Sequence, residues 1–186
     1  VEAALEYDSR DSKITPSSGL NAKLYCRVAD KSVASSFSMR RYGAMAKGYL
    51  PLGDEGQFVT ALRGMVEYLD EDDIPFYELS SIGGGTTLRG FGEGRFYDRH
   101  RIVCNAEERI RLWRFAVGEI SLDIETALFV DAAQVFPSFR DLRYQDFKVV
   151  VGGGLRLVVR SQIVAKVDMG YGSECTAIYA GLHYPF

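Results

Sequence analysis

Residues 120–131 read ISLDIETALFVD, a stretch in which apolar and polar side chains alternate almost without a break. The even positions from Ile120 to Val130 are apolar or threonine, whereas the odd positions include Asp123, Glu125 and Asp131. An alternation with period two places successive side chains on opposite faces of a β-strand. Strands of soluble sandwiches usually have about five or six residues. The stretch therefore predicts an unusually long strand with one apolar and one polar face.

The same alternation recurs along most of the chain. It is clear in segments 20–28, 163–171 and 176–186, and noisier in segments 1–8, 37–50, 57–69, 101–113 and 147–159. Together these segments predict about nine strands in one all-β domain that covers residues 1–186.

The connections between these strands differ in length in a regular way. Short links at 53–56 and 160–162 alternate with long ones at 30–36, 70–98 and 137–146. Tight turns at one end and long loops at the other are typical of an outer-membrane barrel. Several segments also reach the roughly nine to eleven residues that a tilted strand needs to cross a bilayer. We predict a transmembrane antiparallel β-barrel, with a soluble sandwich or barrel as the alternative.

Composition narrows the classes of function. The chain has 186 residues with 22 Lys or Arg and 25 Asp or Glu, a net charge of −3 that argues against a dedicated nucleic-acid binder. Cys26, Cys104 and Cys175 lie far apart and form no CxxC pair, which excludes the usual zinc spacings, and their odd number argues against a disulfide framework. No Ser-His-Asp or Cys-His arrangement is evident. We therefore expect neither an enzyme nor a bound metal or cofactor.

The longest connection contains residues 75–91, which read PFYELSSIGGGTTLRGF. This stretch resembles a loop of the bacterial surface-antigen family of outer-membrane barrels, the insertase superfamily that includes the barrels of the Bam and Tam assembly machines. In that family the loop folds back into the barrel lumen. The residues that carry the resemblance are Gly84, Gly85, Leu88, Arg89, Gly90 and Phe91.

The resemblance extends over the rest of the chain. Segments 8–11, 106–109, 130–136, 152–156 and 167–172 look like successive strand and turn motifs of the same family. Tyr184 and Phe186, at the end of the last predicted strand, look like the signal by which outer-membrane proteins are recognised for assembly, although Pro185 departs from the family's pattern.

The resemblance and the strand pattern point to the same partners for Arg89. In the family, the positions of Glu107 and Asp131 form the wall that receives the loop arginine. By alternation both residues lie on the polar faces of their strands, so both are expected to point inward. A partly desolvated arginine is tolerable only beside a carboxylate. The alternative is that the three charges are unrelated and solvated.

The resemblance also implies a function and a location. It implies a domain in the bacterial outer membrane, in contact with lipid, that helps to insert or translocate client polypeptides. The resemblance implies a barrel of sixteen strands, so we expect this chain to be the C-terminal half of such a barrel, incomplete at its N-terminus, or to be completed by a second copy. Periplasmic polypeptide-binding modules would precede it. The alternatives are a membrane anchor for an upstream enzyme, such as a patatin-like lipase, and a simple pore.

Overall fold

The computed structural model describes residues 1–32, 35–53, 56–71, 74–118, 120–159 and 163–186. They form eleven β-strands: β1 Glu2–Asp8, β2 Gly19–Ala29, β3 Met39–Leu52, β4 Phe58–Asp70, β5 Ser80–Ile82, β6 Phe96–Asp98, β7 His100–Val117, β8 Ile120–Phe136, β9 Lys148–Val159, β10 Ile163–Tyr171 and β11 Thr176–Gly181. Within this part of the chain, no helix is long and apolar enough to cross a membrane.

Nine of these strands form one antiparallel sheet in the order β1-β2-β3-β4-β7-β8-β9-β10-β11. Consecutive long strands are therefore neighbours throughout, as in a meander, and β1 and β11 are the two edges. The all-β prediction and the predicted number of long strands are confirmed. The predicted links at 53–56 and 160–162 include residues outside the described part of the chain.

The two faces of the sheet differ as the alternation predicts. On the outer face, Leu24, Leu128 and Met169 are between 55% and 60% exposed. On the inner face, Asp123 and Asp131 have no exposed surface. This distribution inverts that of a soluble protein and suits an outer face that contacts hydrocarbon.

The inner face is buried because the long connection between β4 and β7 folds back across it. Two short segments of this connection, β5 and β6, pair with each other as antiparallel strands. Ile82, Leu88 and Phe91 of this connection pack into one apolar cluster with inner-face residues, among them Phe129 and Val150. Removing these side chains from water supplies part of the energy that holds the connection against the sheet.

A β-bulge in the long strand β7 changes which of its residues face inward. The register between β7 and β8 shifts between Arg111 and Trp113. An extra residue in one strand reverses the alternation beyond it. Trp113 is consequently 64% exposed on the outer face, while Arg114 points inward to Asp123, with Nε 2.9 Å from Oδ1.

One sequence-based expectation is wrong for the end of the chain. Strand β11 ends at Gly181 rather than continuing to Phe186. Tyr184 and Phe186 turn onto the inner face and are each 8% exposed, whereas Leu182 is 69% exposed. The inner face offers the two rings arginine side chains and an apolar cluster, which a continued strand would not.

Candidate functional site: a buried arginine network on the inner face

The tip of the long connection is a tight turn that glycine makes possible. Gly83 and Gly84 have φ values of +122° and +86°, a region that other residues adopt only with strain. The N–H of Gly84 donates to the carbonyl of Phe91 at 2.9 Å. The hydroxyl of Thr87 donates to the carbonyl of Gly83 at 2.6 Å. These bonds close the turn and present Arg89 to the inner face of the sheet.

Arg89 is buried and makes charge-assisted hydrogen bonds to two strands. Its Nε and Nη2 donate to the two carboxylate oxygens of Asp131 on β8, at 2.8 and 2.9 Å. Its backbone N–H donates to the same carboxylate at 3.1 Å. Its Nη1 lies 2.5 Å from Oε2 of Glu107 on β7. A bidentate arginine–carboxylate pair is among the stronger and more directional contacts in proteins.

Asp168 on β10 brings a third strand into the network. One of its oxygens lies 3.5 Å from Nη1 of Arg89, and the other accepts from Arg156. Arg156 also donates to Glu107 at 3.0 Å. The full network holds four cations, Arg89, Arg109, Arg156 and Lys166, and three carboxylates, Glu107, Asp131 and Asp168.

Close backbone approach around Arg89 depends on two further glycines. A Cβ atom at Gly170 on β10 would collide with the carbonyl oxygen of Arg89. A Cβ at Gly90 would lie 2.8 Å from Cγ2 of Val150. The guanidinium itself stacks on the ring of Phe129, with 3.5 Å between Cζ and the ring centroid. The loop backbone therefore lies directly on the strands.

A second ionic cluster holds the stem of the same connection. Glu67 on β4 is almost fully buried and lies 2.6 Å from Nε of Arg101 and 3.5 Å from Nη1 of Arg41. The hydroxyl of Ser80 donates to Glu67 at 3.2 Å. Arg101 also donates to the carbonyl of Ser81 at 2.8 Å. The stem and the tip are thus attached to the sheet by separate sets of charges.

Tyr184 and Phe186 lie apart from Arg89, towards the other end of the sheet. The Tyr184 ring stacks on Arg109, with Cζ 3.7 Å from the centroid, and its hydroxyl donates to Glu125 at 2.7 Å. Phe186 packs below Arg63, 4.9 Å from its Cζ. Because Arg109 also donates to Glu107, Tyr184 contacts the arginine network through Arg109.

The connection between β1 and β2, residues 9–18, closes that same end of the inner face. The carbonyl of Pro16 accepts from Nη1 of Arg109 at 3.3 Å. Burial alone would raise the pKa of Asp11, but hydrogen bonds from the hydroxyl and N–H of Ser17 and the N–H of Ser18 outweigh it and lower that pKa. This ordered connection is longer than the tight turn expected at this end.

The structure brings most of the predicted site residues together. Arg89 contacts both Glu107 and Asp131, and the turn around it includes the remaining predicted loop residues, Gly84, Gly85, Leu88, Gly90 and Phe91. Sequence reasoning did not single out Asp168 or Arg156. Both alternate with apolar residues on their strands, which is the signal that could have found them. The Glu67 cluster carried no comparable motif.

Comparisons with known proteins agree with this architecture. A family model described as the Omp85 superfamily domain matches residues 1–171. Among solved structures, the chain is similar to the crystal structure of BamA from Haemophilus ducreyi lacking POTRA domains 1–3, with a TM-score of 0.73 and 20% identity. That match covers 96% of this chain and 40% of the BamA chain. The chain therefore spans less than half of the BamA chain, and the likeness concerns the fold.

Proposed function

Because the chain belongs to the Omp85 superfamily and lies in the bacterial outer membrane, we propose that it forms part of a barrel that helps to insert or translocate polypeptides there. The family membership confirms the resemblance that the loop motif suggested. The observation that carries the proposal is the burial of Arg89 among carboxylates from three strands of one sheet.

The arginine network acts as an internal brace. Arg89 contacts Glu107 on β7, Asp131 on β8 and Asp168 on β10, and Arg156 of β9 joins the same cluster. One loop side chain thereby contacts three strands directly, and Arg156 links the fourth, β9, to the same carboxylates.

The edges of the sheet are where a client polypeptide would act. Strands β1 and β11 each pair with one neighbour only within the described part of the chain. An unpaired edge offers backbone N–H and C=O groups to an incoming strand, a recurring mode of peptide recognition. In the proposed function, a client strand pairs transiently with such an edge while the brace holds the interior.

We further propose that more strands complete the barrel. A closed barrel of about eight strands has an interior just filled by side chains, and the inner face here also carries the connection residues Ile82, Leu88 and Phe91. Upstream strands of the same protein would supply the wider barrel, and a second copy is the alternative. Periplasmic polypeptide-binding modules upstream would deliver the clients.

Assisted folding in vesicles tests the proposal. The full-length protein is reconstituted into phospholipid vesicles, and a urea-unfolded outer-membrane barrel protein is added as the client. Folding of the client is followed by its heat-modifiable mobility on a gel. We expect faster folding than in protein-free vesicles and a reduced gain with Arg89→Ala, while Arg95→Ala, which alters an exposed arginine of the same loop, leaves the gain intact.

The same vesicles separate the proposal from its alternatives. Client folding at the protein-free rate would refute the insertase function. A steady ion conductance without any effect on the client would instead indicate a simple pore. Lipid hydrolysis by the full-length protein would indicate an anchor for an upstream enzyme.

A further inference from the structure

The outer face of the sheet carries an isolated carboxylate, Glu108. It lies away from the end of the sheet where the long loops connect the strands. In the described strands, the other outward positions with a carboxylate, lysine or arginine are Arg40 and Asp70, which face each other at the loop end of β3 and β4. Glu108 lies mid-strand on β7, between Ala106 and Ile110 on the same face. It is half-buried on a face that presents mostly apolar side chains to lipid.

Glu108 is only partly satisfied by its own chain. It lies opposite Thr60 of β4 in the sheet register, and the Thr60 hydroxyl donates to Oε2 at 2.6 Å. Among the described residues, this is the one polar contact of the carboxylate. A carboxylate on the lipid-facing surface of a barrel is unfavourable, and ionisable groups within the membrane commonly mark functional sites. The remaining acceptor positions call for a donor from outside the chain.

A shallow, open groove beside Glu108 is lined mostly by apolar side chains. It has a volume of about 410 Å³ and runs over the small side chain of Ala106 and along Leu128, Val130 and Val151. These residues come from β7, β8 and β9, so the groove crosses three strands. Its polar end is at Thr60 and Glu108, and the rest of its outer wall is apolar.

The position along the strand favours a lipid headgroup as the donor. Thr60 is two residues from Phe58, the first residue of β4, a separation of about 7 Å at the usual rise per residue. On the β4 side, the polar end of the groove is therefore close to the tight-turn end of that strand, whereas β7 continues for nine residues beyond Glu108, to Val117. A headgroup beside the start of β4 can approach Glu108 from that side.

We propose that this groove binds one phospholipid with a primary ammonium headgroup. The ammonium donates hydrogen bonds to Glu108, and an acyl chain lies along Ala106, Leu128 and Val130. Charge complementarity selects a cation, and the need for N–H donors selects a primary amine over a trimethylated one. The site is independent of the insertase proposal because it depends only on the outer face contacting lipid.

Lipid retention measures this binding directly. The full-length protein is extracted from vesicles of equal parts phosphatidylethanolamine and phosphatidylcholine with matched acyl chains, and the lipids that remain bound are counted by native mass spectrometry. Wild-type protein should retain phosphatidylethanolamine about tenfold over phosphatidylcholine, the ratio for one charge-assisted hydrogen bond in a partly wet site. Glu108→Gln should retain both lipids equally. Glu174→Gln, which neutralises an exposed loop carboxylate, is the matched control and should behave as wild type.

Three results would overturn the proposal. One is equal retention of the two lipids by the wild type, which would mean that the headgroup is not recognised. Another is unchanged selectivity in Glu108→Gln when its heat-modifiable mobility shows it to be folded. The third is a wild-type dimer that Glu108→Gln dissociates, which would assign the groove to a basic side chain of a second copy.

Discussion

Removing Arg89 should release the tip of the long connection from the sheet. In Arg89→Ala, Asp131 loses its two side-chain contacts with a guanidinium and keeps the Asn105 hydrogen bond at 2.7 Å. Breaking a buried ion pair by deleting one partner costs about 3–5 kcal/mol. Glu107 and Asp168 remain paired with Arg109, Arg156 and Lys166, so Asp131 is the one carboxylate of the network that loses its ion pair. We therefore expect a loss near the lower limit, about 3 kcal/mol.

Limited proteolysis can measure this loss. If opening and closing of the loop are fast relative to cleavage, the cleavage rate follows the population of the open form. A loss of about 3 kcal/mol corresponds to a rise of roughly a hundredfold in that population. Proteinase K digestion of the protein in detergent micelles, with mass spectrometry to locate cuts within residues 74–99, gives the rate. Arg89→Lys keeps the charge but loses the two-pronged contact with Asp131, so it should fall between wild type and Arg89→Ala.

The control for this experiment lies in the same loop. Arg95 pairs with Glu174 at 2.9 Å, but both side chains are about half exposed, and such pairs contribute roughly 0–1 kcal/mol. Arg95→Ala should therefore be cleaved at nearly the wild-type rate. The reasoning is refuted if Arg89→Ala is cleaved no faster than Arg95→Ala. The ion pairs of Arg89 would then contribute nothing measurable to holding the loop against the sheet.

Three further changes test other parts of the interior. Glu67→Gln should raise the cleavage rate in the loop stem, residues 74–82, by about tenfold, because Arg101 and Arg41 each lose a charged partner. Equal cleavage of stem and tip would contradict the inference that the two are held by separate ionic clusters. Gly170→Ala should lower the urea midpoint by an amount equivalent to about 1–3 kcal/mol, since the new methyl group overlaps the Arg89 carbonyl. Gly48→Ala is the control: a Cβ at that position meets open space, so its urea midpoint should stay close to that of the wild type. Tyr184→Phe removes one hydrogen bond to Glu125, a carboxylate of β8. It should lower the free energy of unfolding by about 1 kcal/mol in the same urea titration. An unchanged midpoint would show that this hydrogen bond contributes no more to stability than the hydration of the two groups in the unfolded protein.

The partners of Arg89 were predictable because each signal was local. Alternation fixes which face of a strand a residue occupies, so Glu107 and Asp131 could be placed on inner faces from their own neighbours in sequence. Asp168 has the same local signal, but no sequence rule shows that β10 comes within reach of a loop that leaves β4. That proximity arises from the register of four strands and from Gly170, which lets the loop backbone approach.

The end of the chain shows where local pattern fails. Segment 176–186 alternates well enough to predict one strand, yet β11 ends at Gly181. Tyr184 gains more from the ring contact with Arg109 and the hydrogen bond to Glu125 than from an outward position. Both partners lie on other strands, more than fifty residues earlier in the chain, so they are invisible to a window that slides along the sequence.

By itself the sequence determined the number of long strands, the two faces of the sheet and the residues of the loop motif, because period-two alternation and glycine-rich turns are encoded by near neighbours. Only the tertiary structure decided how the charges combine. Arg89 meets Glu107, Asp131 and Asp168 because a loop and three strands are packed within one desolvated interior, where each charge must find an opposite one. The same holds outside, where Glu108 becomes conspicuous only once the sheet register shows it facing lipid beside Thr60.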